Sequence, residues 1–260
     1  MTRIWFIAHR EWMENTRQPA MIASMASLLV LFDGFILGVL TLLDMTAQTA
    51  SGAERLNYRM GLFGLPMEDA LGTLTQVCVF SLNFLAVSQL LGMTAVLAGH
   101  AATHDRLSGT LPFLLLAPVR RVELMAGKVI GALSVPLAVY LLIGGASALV
   151  AWSFPVTEHL AASLPASPSW WVGFLFAGPA WALTIGALCV IVSSSARDVR
   201  TAQQIAWFLV FFATLILVPV LVPGPGSTAL GMTITAVSGV AVLLLMLVAG
   251  ARWLSRDLGR

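Results

Sequence analysis

Long apolar runs separated by short polar stretches set the rhythm of this chain. The runs fall at about 20–43, 72–98, 129–153, 170–193, 205–222 and 230–252. Each reaches the roughly 18 apolar residues that let a helix cross a bilayer. Ahead of the first run, residues 3–17 predict a helix on the membrane surface. Arg3, Arg10, Glu14 and Arg17 recur at helical spacing on one face, and Trp5, Ala8 and Trp12 lie on another face suited to the headgroup boundary. Asn15 to Pro19 breaks that helix before the first run begins. The predicted fold is all-α: six transmembrane helices and an N-terminal interfacial helix, with both termini cytoplasmic. It divides into an interfacial segment at 1–19, a membrane body at 20–252, a central polar loop at 99–128 within that body, and a tail at 253–260.

The distribution of basic residues fixes the expected orientation. With both ends inside, Arg3, Arg10, Arg17, Arg106, Arg120, Arg121, Lys128, Arg197, Arg200, Arg252, Arg256 and Arg260 are cytoplasmic, which leaves only Arg55 and Arg59 outside. Twelve of 14 basic residues on one side is a strong positive-inside bias. Trp152, Trp170, Trp171, Trp207 and Trp253 fall near predicted span ends, as an aromatic belt requires.

Composition agrees. Of the 260 residues, 58% are hydrophobic and 10% charged, against about a quarter charged in soluble domains, so no water-exposed surface could be covered. The first 18 residues hold His9, Arg10, Glu11, Glu14 and Arg17, and the run after them is long enough to span, so no cleaved signal peptide is expected. Cys78 and Cys189 both lie in apolar runs and read as small buried hydrophobes.

The central loop carries the densest charge. Ser108 and Thr110 are N-cap types, Pro112 suits a first helical turn, and Pro118 stops a short helix at about 109–117. A second polar helix follows, with Arg120, Arg121, Glu123 and Lys128. Asp105-Arg106, Ser108-Gly109-Thr110-Leu111, Leu114-Leu115, Pro118, Glu123-Leu124 and Gly127-Lys128 resemble the cytoplasmic loop of ABC-2 type permeases, the membrane subunits of ATP-driven exporters. Pro112 stands where that family usually has an acidic residue.

The resemblance implies a permease that is not itself an enzyme. It implies a dimer with a second copy or a homologous permease, clasped by two separate ABC ATPase subunits that hold the ATP and Mg. Asp105, Arg106, Gly109, Thr110, Leu111, Pro118, Arg120, Glu123 and Lys128 would then couple to the ATPase. Arg197 and Arg200 would make a smaller contact, and Arg10, Glu14 and Arg17 would lie on a connecting helix. The family places the substrate route between the two permeases, near the first and fifth spans. The implied site is a plasma membrane, that of a bacterial inner membrane by analogy. Two other readings stay open here: a haem-exporter-like or other assembly-type permease, and an intramembrane enzyme or scaffold that needs no ATPase.

Asp33 is the one charged residue well inside a predicted span, beside Gly34 and Gly38, a small-xxx-small pair that admits close helix approach. A carboxylate at that depth costs about 2.5–3.5 kcal/mol on insertion scales. It reads either as a pathway-lining group, a proton or cation site, or as a residue held by a neighbouring hydroxyl or amide.

Other chemistry is not expected. Gly127-Lys128 lacks the rest of a phosphate-binding loop, with Val122 and Val129 at required positions. His100 and His104 share a helix face, but no Glu or Cys completes a ligand set nearby, so no metal is predicted. Ser147 follows Gly144-Gly145-Ala146 without an intramembrane histidine as base. The basic residues lack interleaved aromatics, so no nucleic-acid partner is predicted.

Overall fold

The computed structural model describes residues 2–17, 19–47, 70–110, 120–153, 173–195 and 198–221, with Glu54, Trp171, 237–238 and 241–242 besides. Every element among them is helical. In chain order they are α1 (Thr2–Thr16), α2 (Pro19–Ala47), α3 (Ala70–Leu107), α4 (Arg121–Val139), a π-helical turn π1 (Tyr140–Gly144), α5 (Gly145–Trp152), a second π-turn π2 (Gly173–Ala177), α6 (Gly178–Ser195) and α7 (Val199–Leu221).

Among the described residues, four stretches are long and apolar enough to cross a membrane: Ile22–Leu43, Ser81–Asp105, Val122–Val150 and Phe174–Ser193. They overlie the first four expected spans, and α7 covers the fifth. The sixth, 230–252, lies almost wholly outside the described residues.

α3 is the central post. It touches α2, α4, α6 and α7, and 78% of its crossing stretch is buried, against 28% for α2. Its inner half, from Leu90 through Gly99, is buried on every side, so it reads as apolar without an amphipathic stripe. Close approach is built from small residues. A Cβ on Gly92 would stand 3.3 Å from the Trp207 ring of α7, and one on Gly186 of α6 would stand 3.1 Å from Thr94.

α3 continues unbroken to Leu107 and α4 starts at Arg121, so both flanks of the central 99–128 loop are helical extensions of the bundle. The two helices run antiparallel. α4, π1 and α5 form one continuous rod. Pro136 removes a backbone donor from α4, and the wider π-turn follows it. The two π-turns meet where the buried Tyr140 hydroxyl donates to the Phe174 carbonyl at 2.9 Å and the two rings stack.

α1 lies across α4 rather than standing apart. Gly127 and Gly131, one turn apart, make the bed. A Cβ at Gly127 would come within 2.8 Å of Ile7, and one at Gly131 within 2.5 Å of the Glu11 Cβ. Ala8, Glu11 and Asn15 therefore form the buried face of α1, while Trp5 and Trp12 stay exposed with His9 stacked between them. Sequence periodicity groups Ala8 with the two tryptophans; packing on α4 separates them.

Candidate functional site

The densest polar structure sits where α1, the end of α3 and the start of α4 converge. Lys128 enters it from the first turns of α4, with its side chain only 4% exposed. Its ammonium has three donors, and three acceptors surround it: Glu11 Oε1 of α1 at 2.8 Å, Asp105 Oδ2 of α3, and the Ala101 carbonyl at 3.3 Å. The Asp105 carboxylate is filled as well. Its Oδ1 accepts the Thr110 hydroxyl at 3.0 Å and lies 3.5 Å from the Arg10 guanidinium. Asn15 donates to the Gly131 carbonyl at 3.4 Å, and Arg10 donates to Glu14 at 2.9 Å one turn along α1.

A buried charge is tolerated only when its hydrogen-bonding capacity is met. Here one cation lies between two buried carboxylates, and a half-exposed Arg10 and Glu14 form the rim. Burial pushes the Glu11 carboxyl above its ordinary range, against the pull of the Lys128 ammonium.

The loop leaves α3 from this junction. Ser108 N–H reaches the His104 carbonyl at 2.9 Å, and Gly109 takes φ +70°, a left-handed conformation that terminates a helix and suits glycine. Thr110 then turns back onto Asp105, so the loop's first residues are anchored to the same carboxylate that holds Lys128. On the far side, Arg120 is exposed at the start of α4, and its N–H donates to Glu123 at 3.0 Å. Arg106 sits in the last turn of α3. Leu111, Pro118 and Arg197 lie outside the described residues.

A second tie joins this end of α3 to α6: the buried Thr103 hydroxyl has the Ser193 carbonyl within 3.4 Å. Beyond it, Asp198 accepts the Thr201 N–H at 2.6 Å at the start of α7, which holds the Asp198 carboxyl below its ordinary range. Arg200 is exposed in the first turn of that helix.

Beside the junction, a cleft of about 340 Å³ is lined by Glu11, Glu14, Asn15, Arg17, His100 and His104. The two histidine rings stack 5.6 Å apart. Among the described residues, no group of three His, Cys, Asp or Glu side chains is placed to hold a metal ion.

Within the membrane body, Asp33 is buried at 2% exposure and accepts the Ser147 hydroxyl of α5 at 2.6 Å. Gly34 and Gly38 face the other way, with nothing within 4 Å of a Cβ built on either. Asp33 therefore belongs to the protomer's interior and the two glycines to its outer face.

Sequence reasoning picked out Asp105, Thr110 and Lys128 but not Glu11, Asn15 or the Gly127/Gly131 bed. Glu11 and Lys128 are 117 positions apart, beyond any local pattern. The available signal was the Ala8, Glu11, Asn15 spacing, which places two polar residues on an otherwise packing face.

A family model described as ABC-2 family transporter protein matches residues 5–248. No curated protein matches the chain.

Proposed function

The chain belongs to the ABC-2 transporter family and is a multi-pass membrane permease of an ABC transporter, and from that premise we propose that it is the pathway-forming subunit of an exporter driven by separate ATPase subunits. The reading puts six spans in a plasma membrane, as in a bacterial inner membrane, with both termini cytoplasmic, and the twelve-to-two bias of basic residues supports it. ATP and Mg are bound by the partner ATPase, whose closure drives the permease.

The observation that carries this reading is the junction at Lys128. The loop at 108–120 leaves α3 and enters α4 at one ionic cluster, which also grips α1. A push on that loop acts on Thr110, hence on Asp105, Lys128 and Glu11. It therefore acts on three helices at once instead of bending a slack connection. Leu111 and Pro118 belong to the part of the loop that meets the ATPase, Gly109, Thr110, Arg106, Arg120 and Glu123 to its base, and Arg197 and Arg200 to the smaller second contact. Arg10, Glu14 and Arg17 line the connecting helix beside it.

A second permease copy or a homologous permease completes the assembly. The outer face of α2 supports this: Gly34 and Gly38 are open, and Leu31 and Phe35 are 66% and 70% exposed. On α7, Trp207, Phe208 and Phe211 are exposed as well.

Co-expression with a candidate ABC ATPase subunit tests the proposal. A stoichiometric complex whose ATP hydrolysis is lost on Leu111→Asp is expected. A chain that pulls down no ATPase, or a complex whose hydrolysis and assembly ignore Leu111→Asp and Thr110→Asp together, overturns it.

A further inference from the structure

Among the buried polar side chains of the membrane body that the junction does not use are Asp33 on α2, Asn83 on α3 and Ser147 on α5. They lie at one depth. A Cβ on Gly144 would stand 3.5 Å from the Ala86 Cβ, so these two residues mark a contact between the antiparallel α3 and π1–α5 rods. Three residues further from the cytoplasmic junction on each rod, a rise of about 4.5 Å, come Asn83 and Ser147. Ser147 holds Asp33 Oδ2 through its hydroxyl. Three helices thus bring a carboxyl, an amide and a hydroxyl to one level, directly after the π-turn that sets the register of Ser147. Such turns recur at functional sites.

The site is incomplete. Asp33 Oδ1 and both amide atoms of Asn83 are buried and have no hydrogen-bond partner. Buried polar groups are otherwise nearly always satisfied, so these three atoms point to a ligand. Each has under 1 Å² of accessible surface, which closes the site to a substrate or a hydrated ion. A proton needs no volume.

We propose that Asp33, held by Ser147 and with Asn83 at its level on α3, forms an intramembrane proton-binding site. When the helices part enough to admit water, Asp33 Oδ1 gains an O–H bond from hydronium, which leaves as water, and the reverse step returns the proton. Ser147 fixes Oδ2, so the proton goes to Oδ1; the Asn83 amide, unsatisfied at the same level on α3, makes no hydrogen bond to Asp33 in this conformation.

The surroundings do not compete for the role. Burial and the Ser147 hydroxyl are what act on Asp33, with no charged neighbour among the described residues. Of the titratable groups on the helices packed against α2, Tyr140 donates to Phe174, and Cys78 is half-buried on α3. His100, His104 and Asp105 are at the cytoplasmic end of α3, about 25–33 Å along the helix from Asn83.

Infrared difference spectroscopy of the full chain in lipid nanodiscs, stepped between acid and alkaline pH, tests this. A protonated-carboxyl band that comes and goes with pH, vanishes in Asp33→Asn and changes frequency in Ser147→Ala and in Asn83→Leu is expected. Because Asp33→Asn could perturb folding, the two neighbouring variants carry the test independently. A pH-invariant spectrum, or a band untouched by all three substitutions, overturns the proposal. The measurement uses no ATPase, so its outcome is separate from that of the exporter reading.

Discussion

Among the described residues, carboxylates are buried in two places and treated in opposite ways. At the cytoplasmic junction, Glu11, Asp105 and Lys128 close on one another, and the lysine's three donors all have acceptors. In the membrane body, Asp33 has one oxygen held by Ser147 and the other without a partner. A closed network has one low-energy geometry, so moving any member moves the rest. An open one can change its occupancy at little geometric cost. The first arrangement suits a mechanical joint and the second a binding site.

The contrast breaks most sharply at Lys128. Lys128→Met keeps the length of the side chain and removes the charge, leaving Glu11 and Asp105 buried without their cation. Losing one partner of a buried pair typically destabilises by about 3–5 kcal/mol. Thermal unfolding in detergent should show a large loss, with α1 released first and proteolysis appearing near Thr16. An unchanged melting curve would mean that the junction does not hold these helices together.

Asp33 should answer differently. Ser147→Ala leaves a second carboxylate oxygen without a donor and should destabilise by about 1–3 kcal/mol. Adding Asp33→Leu removes the other partner, and the double variant should recover most of the loss, because two apolar groups leave nothing unsatisfied. Chemical unfolding of the single and double variants measures the recovery. If the double variant is worse than Ser147→Ala alone, the carboxyl has structural partners that its open oxygen conceals.

A pH scan separates the two sites further. Burial raises the Glu11 carboxyl, so the folded protein holds that proton more tightly than the unfolded chain does. The resulting stability is complete below the ordinary glutamate range and is lost as pH rises through the raised folded value. Glu11→Gln should flatten this decline while leaving the carboxyl band assigned to Asp33 in place. A decline of the same size in the variant would move its origin to another group.

How far the sequence could be read follows from the range of the forces involved. The first four spans and α1 were legible because apolar length and helical period are local properties. The depth of Lys128 was not, since α4 looks polar at its start and only the fold brings Glu11 and Asp105 to it. Glycine spacing misleads for the same reason. Gly34 and Gly38 form the pair that catches the eye, yet Gly127 and Gly131 are the ones another helix lies against. A pair of small residues records that close approach is possible; which pair is used depends on the partner. Asp33 shows the limit from the other side: its intramembrane position was evident, but its hydroxyl partner lies 114 residues away.

The smallest effect belongs to the rim of the junction. Arg10 and Glu14 are a turn apart on α1, 2.9 Å from each other, with side chains 36% and 39% exposed. Water screens such a pair, so it contributes about 0.3–0.5 kcal/mol. Arg10 also lies 3.5 Å from Asp105, but that carboxylate already has Lys128 and Thr110. Arg10→Ala should therefore shift the unfolding midpoint only slightly, and the shift should shrink further in high salt. A loss approaching that of Lys128→Met would make Arg10 part of the closed network, and the boundary between joint and rim would then lie one turn further out along α1.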